Sequence, residues 1–130
     1  MRQTLKAMEA QEREEQAAVI EWWGWICNRF NLAPDDLFHI PNEGTGSAVR
    51  GKLQKKQGLR PGCPDLMLTA PVGQYHGLFV EMKRARHGKT SHEQALFHAR
   101  LKERGYAVAV CFGATQARMA IAHYLRGEDI

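Results

Sequence analysis

Cysteine is scarce in this chain. Cys27, Cys63 and Cys111 lie far apart and are odd in number. No C-x-x-C pair occurs, and no cysteine stands near a histidine at zinc-finger spacing. A disulfide framework and a structural zinc site are therefore not expected, and reduced thiols suit an intracellular, cytoplasmic protein. Long apolar runs are also missing. The opening MRQTLKAMEAQEREEQ is charged throughout and has no signal-peptide core, and no window is apolar enough to span a membrane. Internal repeats and low-complexity tracts are absent. Neither sign of charge dominates: 18 Lys and Arg face 14 Asp and Glu, a formal net charge of +4. An isoelectric point of about 9.2 permits a polyanionic partner without demanding one.

What is present is enough apolar sequence, 44% of 130 residues, to build one folded domain over 1–130. Residues from about 4 to 30 predict a long helix, with Val19, Trp22, Trp23, Ile26 and Phe30 recurring at helical spacing. Its tryptophans, Trp22, Trp23 and Trp25, are expected in the core or an interface rather than as a base-stacking platform. Its first half is charged and suits a solvated arm or a contact with a second subunit. Leu37–Ile40 predicts a short strand, and Ala48–Gln57 a helix stopping at Gly58. Asp65–Thr69 and Gly77–Lys83 predict an antiparallel hairpin turning at Pro71-Val72-Gly73. Thr90 with Glu93, or Ser91 with Gln94, fits a capping box opening the next helix, whose inner face is expected to carry Phe97 and Leu101. Ala107–Phe112 is a continuous apolar run and predicts a strand buried on both faces. A last helix, capped by Thr115, is expected to turn Ala117, Ile121, Tyr124 and Leu125 inward. The alternation of helices and strands predicts an α/β fold with a central mixed sheet.

The segment Leu78-Phe79-Val80-Glu81-Met82-Lys83 carries the functional signal. Side chains alternate along a strand, so Glu81 and Lys83 share one face while Val80 and Met82 take the other. Alone, this is a surface ion pair of little weight. The preceding strand changes the balance. Pro64 fixes the backbone ahead of Asp65, and the hairpin brings Asp65 toward Glu81. Neighbouring carboxylates repel unless a cation joins them, and oxygen ligands favour magnesium or manganese over zinc. Lys83 beside them could orient water and offset charge on a phosphate.

Gly62-x-Pro64-Asp65-Leu66, Glu81-x-Lys83, Ser91-x-x-Gln94 and Gly105-Tyr106-x-Val108, in that order, resemble the VRR-type (virus-type replication-repair) nuclease domain of the PD…ExK restriction-endonuclease-like group. The resemblance covers about His39 to Phe112 and implies a restriction-endonuclease-like core. It implies Asp65 and Glu81 as metal-binding carboxylates, the Met82 backbone carbonyl as a further ligand, and Lys83 as catalytic lysine. Gln94 matches a glutamine that helps position water or phosphate, although a plain helix cap explains it equally well. The expected upstream acid is Glu43, in His39-Ile40-Pro41-Asn42-Glu43-Gly44, with Glu21 as fallback and Asn42 and His39 as supporting groups. The chemistry implied is metal-dependent hydrolysis of DNA phosphodiesters. Lys83 is open to the role of cation or of base. Standalone members are similar to homodimeric enzymes that resolve four-way (Holliday) junctions in DNA repair, whereas members within larger proteins cut flaps.

Between Glu43 and Asp65, Arg50, Lys52, Lys55, Lys56 and Arg60 occur with no acid among them, and Arg84, Arg86, His87 and Lys89 follow the Glu-x-Lys strand. These flanks of the proposed site suit phosphate contacts, which give affinity without sequence readout. Gly46-x-x-x-x-Gly51-Lys52 imitates a phosphate-binding loop. Leu53 stands where Ser or Thr would be needed, so no nucleotide cofactor is expected. Two rivals remain: a non-catalytic DNA-binding module, which leaves the acids in the basic patch unexplained, and an assembly protein, which has no use for Asp65, Glu81 and Lys83 together.

Overall fold

Thr4 opens the first helix, α1 (Leu5–Ile26), its hydroxyl accepting the Ala7 N–H at 3.1 Å. The computed structural model describes residues 4–41, 48–84 and 88–130. Val19, Trp23 and Cys27 recur every fourth residue and are buried together. The long helix expected to residue 30 tightens at Ile26 into a 3-10 turn over Cys27–Phe30, and Asn31 (φ 59°) ends it in the left-handed conformation. Of the three tryptophans, Trp23 is core and donates its indole N–H to the Ala33 carbonyl at 3.2 Å. Trp22 is half-buried, while Trp25 is 73% exposed and is no core residue.

The remaining elements are β1 (Leu37–His39), α2 (Ala48–Lys56), β2 (Leu66–Leu68), β3 (Leu78–Lys83), α3 (His92–Glu103), β4 (Ala107–Phe112) and α4 (Ala114–Leu125). The strands form one mixed sheet in the order β1-β2-β3-β4, antiparallel until the last pair, which is parallel. The expected hairpin is there: Leu66 faces Val80 and Leu68 faces Leu78, and a turn at Gly73 is closed by backbone hydrogen bonds between Val72 and Tyr75. Leu66, Leu68, Leu78, Val80 and Met82 pack with Val19 and Trp23 of α1 and with Ala117, Ile121 and Tyr124 of α4. Burying side chains of this size contributes about 1.5–3 kcal/mol each. The β2–β3 ribbon is thereby fixed from its apolar face, and its other face is free to carry charge.

Three further expectations change. β4 is an edge strand of this sheet and is not buried on both faces: Val108, Ala109 and Val110 are half-buried, and Phe112 is exposed. Thr115 does not cap α4. The cap residue is Gly113, and the Glu15 carboxylate of α1 accepts the Ala114 N–H. In α3, the buried side chain is His98, with Phe97 and Leu101 only half-buried.

Candidate active site

The site is assembled where β2 begins and β3 ends. Pro64 is buried and delivers Asp65 to the sheet, where its N–H donates to the Val80 carbonyl at 3.1 Å. The Asp65 carbonyl accepts the Ile40 N–H at 2.7 Å and lies 2.8 Å from His39 Nδ1, so β1 braces it from the other side. One oxygen of its side chain, Oδ2, accepts the Met82 N–H at 2.7 Å. The backbone of β3 therefore aims the Asp65 carboxyl group toward Glu81.

Glu81 is 3% exposed and hydrogen-bonded to Asp65. Burial first, then this hydrogen bond and the Asp65 charge, push its pKa up to about 9, with Lys83 pulling the other way. Two acids this close hold a proton between them when no cation is there. Lys83, 8% exposed, donates Nζ–H to Gln94 Oε1 at 2.6 Å. That oxygen also accepts the Ser91 N–H at 2.9 Å, while Ser91 Oγ accepts the Gln94 N–H at 3.1 Å. Of the two capping boxes open in the sequence, Ser91 with Gln94 forms. The cap and the lysine contact are one arrangement, not alternatives.

Glycine makes this approach possible. Gly62 has φ +86°, and a Cβ there would lie 2.5 Å from the Glu93 carbonyl oxygen, so the loop before Asp65 rests directly on the backbone of the first turn of α3. At Gly88 a Cβ would stand 2.6 Å from the Lys83 Cβ, so the lysine stem is packed against bare backbone.

Two residues that the sequence did not single out join the site. Glu12 of α1 is half-buried and interacts with Lys83, Asp65, Arg84 and Glu81. Burial, the leading cause, raises its pKa, and a hydrogen bond with the Arg84 backbone opposes the rise. The fallback acid, Glu21, is exposed farther along α1, and Glu43 and Asn42 lie outside the described residues. His98 of α3 is 6% exposed, with Nε2 3.3 Å from Glu81 Oε1. Burial, then the charges of Lys102 and Lys83, hold its pKa below the ordinary histidine value despite Asp65. Glu12 was hidden among Glu9, Glu12, Glu14 and Glu15 on one charged helix. His98 had a signal: it lies one helical turn from Gln94, so the two share a face.

Among the described residues, no group of three or more His, Cys, Asp or Glu stands ready-made for a metal ion. Asp65 and Glu81 still fit a hard divalent cation. They are adjacent oxygen donors, Glu81 buried and Asp65 half-buried, and electrostatically unfavourable when both are ionised. Cys63, half-buried nearby, has its thiol pKa raised by burial and by the charges of Glu81 and Asp65, which suppresses thiolate chemistry.

The basic residues sit outside this knot. Lys52, Lys55, Lys56, Arg60 and Lys89 are exposed and Arg84 is half-buried. Arg50 lies on α2, while Arg86 and His87 fall outside the described residues, as do residues 46 and 47 of the phosphate-loop imitation. The Arg60 guanidinium donates to the Lys55 and Leu59 carbonyls, both at 3.2 Å, so part of it is spent on closing the end of α2.

The sequence profile of the VRR-NUC domain matches residues 5–115. The chain belongs to the VRR-NUC domain family. A solved structure described as a VRR_NUC domain protein has a TM-score of 0.78 to this VRR-NUC chain at 26% identity, covering 92% of this chain and 91% of that one. No curated protein matches the chain. The mixed sheet flanked by helices is the α/β core of a nuclease-type domain. The match also takes in α1, which the motif resemblance from His39 onward did not reach. No helix among the described residues is long and apolar enough to cross a membrane.

Proposed function

We propose that this VRR-NUC chain is a magnesium- or manganese-dependent deoxyribonuclease that cuts branched DNA, four-way junctions foremost, as a homodimer in the cell interior. The observation that carries the reading is the pairing of buried Glu81 with half-buried Asp65, two hydrogen-bonded acids beside the buried Lys83. Asp65 and Glu81 would hold the ion, with the Met82 carbonyl and Glu43 as the further oxygens expected from the sequence, and Glu12 would add negative charge beside them. When bound, such an ion supplies Lewis acidity toward water and the phosphate oxygens. The residues of the chain do the positioning. Asp65 cannot swing away while the Met82 N–H holds its Oδ2. Lys83 is fixed by Gln94 at its tip and by Gly88 along its stem, so its charge is pre-organised for an anionic phosphate oxygen. Lys52, Lys55, Lys56 and Lys89, with Arg50, Arg60 and Arg84, would take the flanking phosphates, which makes binding salt-dependent.

A homodimer suits a junction of two-fold symmetry. The exposed Trp25 gives α1 an apolar surface to contribute. The test is a panel of flap, splayed, nicked and four-way DNA with magnesium, with manganese and with EDTA. Asp65→Ala and Lys83→Ala proteins should fold and bind DNA but lose cleavage by about a thousandfold, the scale of removing several kcal/mol of transition-state stabilisation. Full cleavage by either variant refutes the site. Cleavage of flaps in preference to four-way DNA, or a monomer by light scattering, refutes the junction reading alone.

A further inference from the structure

The buried polar residues among those described are Glu81, Lys83 and His98. The first two are accounted for by the proposed nuclease site. His98 is not, yet it occupies interior space on α3 and brings a nitrogen to 3.3 Å from Glu81 Oε1. An aliphatic side chain would fill that position without the cost of desolvating an imidazole. Asp65 shows what the neighbouring acid receives: one of its carboxylate oxygens is tied to a backbone N–H, which fixes its orientation. Glu81 gets no backbone donor of that kind among the described residues, and His98 stands where such a donor would be.

We propose that His98 is a positioning residue that donates Nε2–H to Glu81 and holds one carboxylate oxygen, so that the other is presented to the divalent ion. This rests on the metal-dependent reading above. With a cation at the site Glu81 is ionised and has no proton to offer, so the hydrogen bond requires the proton on Nε2 whatever the charge of the ring. His98 touches neither substrate nor ion in this arrangement and acts through Glu81. Partners of this kind, which orient a metal-ligating group, commonly account for about 10- to 100-fold in metal affinity. The Gln94 contact to Lys83 and the His98 contact to Glu81 come from successive turns of α3, so one helix face positions both charged residues of the strand.

The experiment measures manganese binding by calorimetry with wild-type, His98→Phe, His98→Gln and His98→Asn proteins, each checked for folding by thermal melting without metal. Gln places an amide nitrogen near the Nε2 position and Asn does not. The expected result is a manganese Kd raised about tenfold or more in His98→Phe and His98→Asn and restored to within about threefold in His98→Gln. DNA affinity in EDTA should be the same in all four. Should His98→Phe fail to fold, the Gln and Asn pair decides. Equal manganese affinity in Gln and Asn variants, or wild-type affinity in His98→Phe, overturns the role of His98. No manganese binding by the wild-type protein overturns the metal site itself, a separate outcome.

Discussion

The end of the β2–β3 ribbon and the α2 segment both concentrate charge, and they are held in opposite ways. At the ribbon, Asp65, Glu81 and Lys83 are tied to the β3 backbone and to two side chains of α3. On α2, Lys52, Lys55 and Lys56 are exposed. Burying an acid and a lysine in a domain this small costs stability. A fold that meets this cost uses those groups at fixed positions. An exposed run of one sign costs little and acts as a diffuse field, with graded effects that add from residue to residue. Substitutions at the ribbon should therefore be abrupt and specific, and those on α2 shallow and cumulative.

The largest effect that separates acids by location concerns α1. Glu12→Gln should slow cleavage about a hundredfold, roughly 2.7 kcal/mol of barrier, in single-turnover assays at saturating magnesium. Glu21→Gln on the same helix should leave the rate alone. If Glu21 is the more damaging change, the placement of Glu12 in the site is wrong. Next comes the loop that seats Asp65. Gly62→Ala puts a Cβ into the α3 backbone at a positive φ. It should cost about 1–3 kcal/mol in urea unfolding and lower the cleavage rate as well; an unchanged rate would mean that the loop does not position Asp65.

A pH series sharpens the contrast without mutation. Metal-free, Glu81 keeps its proton to about pH 9 in the fold against 4.5 ordinarily, owing to burial and then Asp65. Between those values the folded chain binds more protons than the unfolded one, so this contribution to stability is whole below 4.5 and fades as pH rises toward 9. Melting temperatures without metal should fall across this window, and magnesium should flatten the fall, since the ion takes the place of the proton. A metal-free melting temperature that rises steadily to pH 9 would contradict the burial of Glu81 beside Asp65. The mildest outcome belongs to α2. Replacing Lys52, Lys55 and Lys56 by Gln should reduce the slope of log affinity against log salt by about one per lysine. Unfolding free energy should move by no more than about 0.5 kcal/mol. A salt slope identical to wild type would remove α2 from the DNA surface.

Much of this arrangement was legible in the residues, because the signals involved are local. The hairpin register follows from alternation and from the turn at Gly73, and it alone brings Asp65 to Glu81. The long first helix follows from the recurrence of Val19, Trp22, Trp23, Ile26 and Phe30. What stayed hidden depends on distant partners. Nothing near Ala114 announces that Glu15, on the opposite end of the chain, supplies its cap. Glu12 differs from its acidic neighbours only in what the folded sheet places before it. β4 reads as an interior strand because Ala107–Phe112 is apolar throughout, yet strand order decides burial, and it ends the sheet. His98 is overshadowed in the sequence by Phe97 and Leu101, the better hydrophobes, although the polar pair Gln94 and His98 marks the face turned toward β3.

One oxygen atom, Gln94 Oε1, serves both the first turn of α3 and the ammonium group of Lys83. Fraying of that turn would release the lysine tip at the same moment. A chain whose last βαβ unit has not yet docked therefore lacks a held lysine, and the proposed site is incomplete until the fold is.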